Sequence, residues 1–245
     1  MIFVDDAGHD GWDSGAVGPA GTYESSVTLP VAQMVSEILQ QAGQVALMSR
    51  TSSQQVVGSL NEDLMTRVQF AEAAGAELFV SFHANGSVDS SAHGFEVYTT
   101  PGQGPSDVYA ESVIEELVKA FPELTLRSDL SDGDRDKEAN FYVIRKTTMP
   151  AILIEMAFIT NPQEEQLLAS SDGQRRFAQA IATGLLNVVG VASPVSSLVE
   201  DVTKLQSIGV INSPQVWIDT IQNNQDIPAT YVNALIKNMA SYLRR

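Results

Sequence analysis

Three residues that can bind a metal or move a proton follow short apolar segments of this sequence. His9 comes shortly after the apolar N-terminal segment, while Leu78–Phe82 leads directly into His83 and Ala151–Ile154 directly into Glu155. Histidine nitrogens and carboxylate oxygens bind zinc in catalytic sites, and a carboxylate beside a metal can serve as a general base. These positions therefore suit metal-assisted hydrolysis.

Each of these residues also has a purely structural interpretation. A charged residue that ends an apolar run is costly unless it is paired or functional, so Glu155 fits a salt bridge at a strand end equally well. His9 can be a turn residue among glycines, and His83 can be a hydrogen-bonded core histidine. The third histidine, His93, precedes Gly94 and is predicted to lie in a loop without a ligand role.

The hydrophobic pattern predicts the elements that must position these side chains. Strands and helices alternate along residues 1–190, which predicts an α/β fold with a mostly parallel sheet and helices on both faces. Sites in such sheets lie at the carboxyl ends of the strands, so His9, His83 and Glu155 are expected to meet there. Ser106 is expected to cap the third helix. The predicted strands are Ile2–Asp6, Val45–Ser49, Leu78–Phe82, Phe95–Thr99 and Ala151–Ile154, and the predicted helices are Ser25–Gln41, Leu60–Ala74, Ser106–Phe121 and Gly173–Val189.

The third ligand of a zinc site has one good candidate, Glu24. A catalytic zinc ion typically has three protein ligands and an open position for water, so two histidines leave one ligand to find. Glu24 follows the glycine-rich stretch 15–21 and begins the first long helix. The helix dipole alone also favours a carboxylate at this position. The residue types by themselves favour this second, structural role.

Six segments in a fixed order carry a family resemblance over nearly all of residues 1–190. They are Asp6–Ala16 with Gly18, Gly21 and Glu24; Ser49-Arg50; Leu64 with Arg67 and Ala71; Ser81–Asn85; Gly94–Tyr98; and Met149–Glu165. Together they resemble the zinc-dependent N-acetylmuramoyl-L-alanine amidases, the type 3 amidases of bacterial cell-wall remodelling and phage lysis. The ordered set is far more specific than any single motif within it.

The resemblance implies a role for each candidate residue. It implies His9, Glu24 and His83 as ligands of a Zn²⁺ cofactor and Glu155 as the catalytic base. The reaction would be hydrolysis of the amide bond between N-acetylmuramic acid and L-alanine in peptidoglycan, by a zinc-activated water. Asn85 is expected either to hydrogen-bond the substrate from the same sheet edge or to act as a turn residue.

The departures from the family pattern touch none of the proposed ligands. Asp10 replaces a usual glycine, Ser14 replaces a usual proline, and Met156-Ala157 stands where Leu-Gly or Ala-Gly is common. The segment 107–141 is too short for the extra helix that plugs the site in regulated family members. We therefore expect an open site.

The composition excludes several other classes of function. The chain of 245 residues has no cysteine, which excludes disulfides and thiolate metal sites. Its net charge of −16 argues against binding to nucleic acid or to an anionic membrane surface. No apolar run approaches the roughly 20 residues of a membrane span. Acidic residues follow the first four residues at once, so no secretory signal peptide is expected.

A change in composition predicts two domains. We expect a catalytic domain at 1–190, a linker at 191–195 and a small all-helical C-terminal domain at 196–245. Residues 195–245 contain equal numbers of acidic and basic residues, so the net negative charge belongs to the first part. Three helices are predicted in the tail, the first burying Leu198 and Ile208. The tail is expected to serve wall targeting or homo-oligomer formation.

The biological role expected from the sequence is host-cell lysis by a phage endolysin. The open site and the absence of a recognisable signal peptide favour cytoplasmic synthesis followed by release to the bacterial cell wall, unless the sequence is a mature form. The alternatives with the same chemistry are a bacterial autolysin and a tail- or spore-associated lysin. An inactive wall-binding module and a different zinc amidohydrolase on a related fold also remain possible at this point.

Overall fold

The computed structural model divides into two compact units, Met1–Val191 and Ala192–Arg245. It describes residues 1–10, 12–53, 59–222, 225 and 227–244, without the side chains of 195–197 and 222. No helix within these described residues is both long and apolar enough to cross a membrane.

The first unit is built on one six-stranded sheet. The strand order across the sheet is β2-β1-β3-β6-β4-β5. Four neighbouring strands, β2, β1, β3 and β6, run parallel to one another. The predicted α/β fold with a mostly parallel sheet is therefore confirmed. The strands are β1 (Ile2–Ala7), β2 (Val45–Met48), β3 (Leu78–Asn85), β4 (Glu96–Thr99), β5 (Lys137–Glu138) and β6 (Ala151–Phe158).

One pairing departs from the parallel arrangement. Strand β4 runs antiparallel to β6, and β5 then runs parallel to β4. Residues 86–95 connect β3 to β4 without a helix. A parallel return needs a crossover of a dozen or more residues, so this short connection favours the opposite direction.

Helices cover both faces of the sheet. Helices α1, α3 and α6 pack on one face, and α2 and α4 pack on the other. In β1, Phe3 faces the first layer and Val4 the second, as the two-residue period of a strand requires. The helices are α1 (Glu24–Gln41), α2 (Leu60–Ala74), α3 (Pro105–Ala120), α4 (Tyr142–Lys146), α5 (Pro162–Ala169) and α6 (Ser171–Val188).

Local signals explain where helix α2 begins and ends. Ser59 and Glu62 form a reciprocal capping box at its start, and Gly75 ends it in the left-handed conformation. For α3 the expected cap was wrong: the N-cap is Gly104, and Ser106 Oγ instead accepts a hydrogen bond from the Ala151 amide. Pro105 at the first helical position moves the helix start ahead of Ser106.

Strand β1 extends one residue beyond its predicted end, and β3 and β6 extend further. Strand β3 continues through His83 to Asn85, and β6 continues through Glu155 to Phe158. The backbone stays extended because β3 and β6 keep pairing with each other, with a register irregularity between His83 and Asn85. His83 and Glu155 therefore lie within paired strands, and not just after them as predicted, whereas His9 lies two residues after the end of β1.

The second unit contains three helices, α7 (Pro194–Ser207), α8 (Pro214–Gln222) and α9 (Ala229–Tyr242). Its core is formed by Val202, Ile211 and Trp217. The prediction that Leu198 and Ile208 are buried was wrong, because their exposed fractions are 50% and 42%. Three short helices enclose too little volume to cover both sides of each helix.

Candidate metal centre and active site

Three predicted ligands converge at the carboxyl ends of β1 and β3. Nε2 of His9 lies 3.1 Å from Oε2 of Glu24, and Nδ1 of His83 lies 3.0 Å from Oε1 of the same carboxylate. One ligand atom from each of the three residues lies within 4.8 Å of the other two. The side chain of Glu24 is almost fully buried, whereas one-fifth of each histidine side chain is exposed.

The geometry of this cluster fits zinc. Tetrahedral zinc bonds of about 2.0–2.1 Å separate neighbouring ligand atoms by about 3.3 Å. The distances from Glu24 to the two histidine nitrogens, 3.1 and 3.0 Å, are close to that separation. Two imidazoles and one carboxylate form a donor set that is typical of catalytic zinc sites, which leave a fourth position open.

Hydrogen bonds outside the cluster fix the orientation of these groups. Nδ1 of His9 lies 2.8 Å from Oδ2 of Asp13, which leaves Nε2 free to face Glu24. The Glu24 carboxylate accepts hydrogen bonds from the backbone amides of Ala16 and Ala84, both at 2.9 Å. A carboxylate that holds the second nitrogen of a metal-binding histidine sets its tautomer and raises its basicity.

Two glycines allow the site to be this compact. A Cβ atom at Gly8 would overlap the His83 ring, and one at Gly15 would lie 2.5 Å from Glu24 Oε2 and 2.7 Å from His9 Cδ2. Gly15 also has a φ of 66°, which side chains other than glycine rarely adopt. The glycines around His9 therefore make room for the ligands.

Two buried arginines hold the loop that carries His9. Arg50 donates to the carbonyl oxygens of Ala7 and Gly8, both at 2.9 Å. Arg67 donates to the carbonyl oxygens of Ala7 and His9. These bonds stabilise His9 at a positive φ of 61°, a backbone conformation that is unfavourable for most side chains.

A glutamate of the closing motif fixes the loop that precedes Glu24. The carboxylate of Glu165 accepts hydrogen bonds from the amides of Ala20 and Thr22. Gly18 packs against it so closely that a Cβ there would overlap the carboxylate. Segments more than 140 residues apart in the sequence thus position one ligand.

The charges within the cluster change the pKa values of its members. Burial disfavours the charged form of His9, but the hydrogen bonds and negative charges of Glu24 and Asp13 outweigh it and raise the pKa of His9 to about 9. Burial likewise disfavours ionised Glu24, yet hydrogen bonds from His83 and His9 hold the pKa of Glu24 well below its usual range. A divalent cation would take the place of the proton that His9 otherwise holds.

Glu155 lies beside this cluster on the central strand β6. It is opposite His83 across the parallel pairing with β3. Its Oε2 atom is buried without a hydrogen-bond partner. Burial raises the pKa of Glu155 to about 7; the negative charges of Glu24 and Glu96 add to this effect, and His83 opposes it. A carboxylate that gains and loses a proton near neutral pH suits general acid–base catalysis.

Glu96 is a neighbour of the active site that the sequence reasoning missed. It lies opposite Glu155 across the antiparallel pairing of β4 with β6, and it is 2% exposed. It accepts hydrogen bonds from Tyr98 and Arg127 and, at 2.9 Å, from Lys137. Burial opposes its ionisation, but these three donors lower the pKa of Glu96. An acid inside a short apolar strand was the signal that could have identified it.

The remaining candidates occupy different surroundings. Nδ2 of Asn85 donates to Glu96 at 3.3 Å, and Oδ1 of Asn85 accepts from the Gly86 amide, so the side chain is held within the protein. His93 is exposed and bonds the carbonyl oxygen of Ser91. It is not part of the ligand cluster. Asp13 was also missed, although its position four residues after His9 was a usable signal.

Comparison with known protein families shows which family the chain belongs to. The N-acetylmuramoyl-L-alanine amidase family (Amidase_3) matches residues 2–187, well over half of the chain. The chain belongs to this family. The resemblance that the motifs predicted is thus confirmed at the level of the family, as is the prediction of an amidase enzyme.

Several members of this amidase family are similar over most of the chain. The N-acetylmuramoyl-L-alanine amidase CwlM of Bacillus licheniformis is 35% identical over 200 residues, which cover 80% of this chain and 72% of the relative. The amidase AmiC2 of Nostoc punctiforme has 34% identity and a TM-score of 0.69, covering 78% of this chain and 97% of that structure. The catalytic domain of CwlV from Bacillus (Paenibacillus) polymyxa var. colistinus has 35% identity and a TM-score of 0.68, covering 78% and 98%.

Proposed function

We propose that this family member hydrolyses the amide bond between N-acetylmuramic acid and L-alanine of peptidoglycan at a zinc centre. His9, Glu24 and His83 would hold the ion, and Glu155 would act as the general base. The observation that carries the proposal is the pair of histidine nitrogens at 3.1 and 3.0 Å from one carboxylate. Glu155, whose Oε2 is buried without a hydrogen-bond partner, lies directly opposite His83 in the pairing of β6 with β3.

The residues divide the reaction between binding and proton transfer. When bound, Zn²⁺ supplies a Lewis acid that lowers the pKa of water and stabilises negative charge on the carbonyl oxygen. Glu155 takes a proton from the attacking water and then donates it to the leaving nitrogen of L-alanine. The negative charge of Glu96 is balanced by ion pairs with Arg127 and Lys137. Glu96 therefore stays ionised and does not compete with Glu155 for this proton.

Product analysis on purified sacculi, combined with the zinc content of the protein, tests this proposal. Cleavage should release new L-alanine amino groups without new reducing sugar ends. It should stop when zinc is removed and return when zinc is added back. New reducing ends would show a glycosidase, and new amino groups on other residues would show a peptidase. Activity that persists without bound metal would contradict the zinc centre.

For the biological role, we propose host-cell lysis by a phage endolysin that acts at the cell wall. The short segment 107–141 supports an open site. After the end of α3, its described residues form one further element, the strand β5, and no additional helix. A bacterial autolysin fits equally well, because the three relatives named above come from bacteria. Detection of the protein in the wall fraction of growing, uninfected cells would favour the autolysin and contradict the phage role.

We propose that the unit 192–245 serves wall targeting or self-association, while the first unit carries the chemistry. Every proposed ligand and the base lie before residue 156. Val232, Ile236 and Met239 follow one another at helical spacing on α9 and are all exposed. An exposed apolar stripe of this kind is typical of a contact surface.

A further inference from the structure

A second group of carboxylates lies outside the zinc cluster and the neighbourhood of Glu155. Oxygen atoms of Glu111, Asp134 and Asp136 lie within 4.8 Å of one another. Glu111 belongs to helix α3, and both aspartates lie just before the edge strand β5. Nothing in the proposed amidase reaction uses them.

The two aspartates each have a buried oxygen without a partner. Asp136 is 2% exposed; its Oδ2 accepts a 2.7 Å hydrogen bond from Thr99, but its Oδ1 has no partner. Asp134 repeats this pattern, since Gln103 donates to its Oδ2 at 2.6 Å and its Oδ1 is buried and unpaired. Carboxylate oxygens removed from water without a partner are costly.

Either a proton or a cation can relieve this cost. Burial raises the pKa of Asp136 to about 7, against the hydrogen bond from Thr99; the charges of Asp134 and Asp107, and the close approach of the two aspartate side chains to each other, raise it further. A divalent cation offsets both aspartate charges at once and binds the unpaired oxygens directly.

We propose that Asp134 and Asp136, with Glu111, form a calcium site that fastens the edge strand β5. All the donors are oxygens, which selects a hard cation. The segment 132–136 has an acid at every second position around Gly133, which has a φ of 114°. Calcium accepts six to eight oxygens in flexible geometry, whereas magnesium demands a near-ideal octahedron.

The other contacts of Glu111 leave it able to take part. Its Oε1 and Oε2 accept hydrogen bonds from the backbone amide and Nε of Arg135, at 2.6 and 2.8 Å. Each carboxylate oxygen has a second lone pair, so these bonds orient the group without exhausting its acceptor capacity. Arg135 thus holds Glu111 against the loop that supplies the two aspartates.

The proposed site is tied to the strand that completes the sheet. Residues Lys137 and Glu138 of β5 directly follow Asp136 and pair with Tyr98 and Thr99 of β4. This two-residue strand has few hydrogen bonds of its own. A cation bound at Asp136 would therefore stabilise the edge of the sheet.

Calcium titration of the zinc-loaded full-length protein tests the site. Equilibrium dialysis in buffer freed of calcium beforehand should show one calcium bound per chain, and calcium should raise Tm by several degrees. Asp136→Asn and Asp134→Asn should each weaken calcium binding at least tenfold and remove most of the Tm increase. Asp172→Asn, which changes an exposed carboxylate on α6, should behave like the wild type.

Two further measurements, stability without calcium and zinc content, distinguish the calcium site from the alternatives. Without calcium, Asp136→Asn should be as stable as the wild type or more so, because it removes a like charge beside Asp134. Zinc content should be unchanged in every variant, which separates this site from the histidine cluster. Calcium binding that is equal in Asp136→Asn and wild type would overturn the site and favour a shared proton. Magnesium binding as tight as calcium binding would overturn the choice of ion.

Discussion

Glu155 and Glu96 lie directly opposite each other across the antiparallel pairing of β6 and β4. Their surroundings shift the pKa values of the two carboxyl groups in opposite directions. Burial raises the pKa of Glu155 to about 7, whereas the hydrogen bonds from Tyr98, Lys137 and Arg127 overcome burial and lower the pKa of Glu96. Such a pair separates a proton-transferring carboxylate from one that stays ionised.

Replacing Glu96 should change the pH dependence of catalysis. The charge of Glu96 raises the pKa of Glu155, so Glu96→Gln should lower it, and the unpaired Arg127 and Lys137 should add to that change. The base must be ionised to act, so kcat/KM rises as pH passes upward through this pKa. The acid limb of the pH profile should therefore move to lower pH in Glu96→Gln. Glu115→Gln, at an exposed position, should leave the limb in place, and an unmoved limb in both variants would refute the coupling.

Loss of either histidine of the cluster should release the metal. His9→Ala and His83→Ala each leave two protein ligands, which hold zinc poorly. Zinc content measured on the purified variants, with circular dichroism to confirm folding, should fall well below one ion per chain. His93→Ala is the control and should retain zinc, because that ring is exposed and lies outside the cluster. Full zinc content in the first two variants would rule out this ligand set.

Substituting Glu155 and Glu24 one at a time should distinguish the general base from the metal ligand. Glu155→Gln should keep zinc and fold normally but reduce turnover on the order of 10²–10⁴-fold, because the proton acceptor is gone while the volume is kept. Glu24→Gln should instead weaken zinc binding, because the charged carboxylate that lies between the two histidines becomes a neutral amide. The opposite result, metal loss in Glu155→Gln only, would exchange the two roles.

Asp5 should make the protein less stable as pH rises. It is fully buried, and burial raises its pKa to about 7 against the hydrogen bond with Ser36. In the unfolded chain this carboxyl has the ordinary aspartate pKa of 3.8. The folded state therefore binds the extra proton, and the free energy of unfolding falls as pH rises from about 4 to about 7. Asp5→Asn should match the wild type near pH 4 and exceed it at pH 8 by on the order of 2–4 kcal/mol.

Urea denaturation at several pH values measures this difference in the free energy of unfolding. Ser36 Oγ can accept a hydrogen bond from one of the two N–H groups of the new amide, so the contact between the two side chains is kept. Asp172→Asn, on the exposed start of α6, should follow the wild type at every pH. A constant difference between Asp5→Asn and the wild type would exclude titration of Asp5 as its cause.

Removal of the C-terminal unit should separate targeting from chemistry. A chain of residues 1–191 should fold, bind zinc and cleave small soluble muropeptides at nearly the full-length rate. It should lose wall binding, self-association or both, because the acidic first unit is repelled by anionic wall polymers at low salt. Sedimentation with purified walls and light scattering tell these losses apart. An unfolded product would disprove the domain boundary, and unimpaired wall binding and lysis would disprove the targeting role.

Much of this protein could be predicted from its sequence because the relevant signals are local. Apolar runs and helical spacing predicted the alternating strands and helices, and parallel strands bring their carboxyl ends together by simple geometry. That was sufficient to expect His9, His83 and Glu155 at one edge, and the ordered motifs predicted the family. The structure now brings Glu24 between the two histidines, although its role as a ligand stays a prediction.

Only the tertiary structure decided the features that depend on pairings between distant segments. Strand β4 meets β6 in the register that sets Glu96 against Glu155, and no local pattern encodes that register. The burial of Asp136 and the exposure of Leu198 likewise depend on what other elements cover. Hydrophobic periodicity shows which face of a segment is apolar, but the energy of burial depends on the neighbours that exclude water from it.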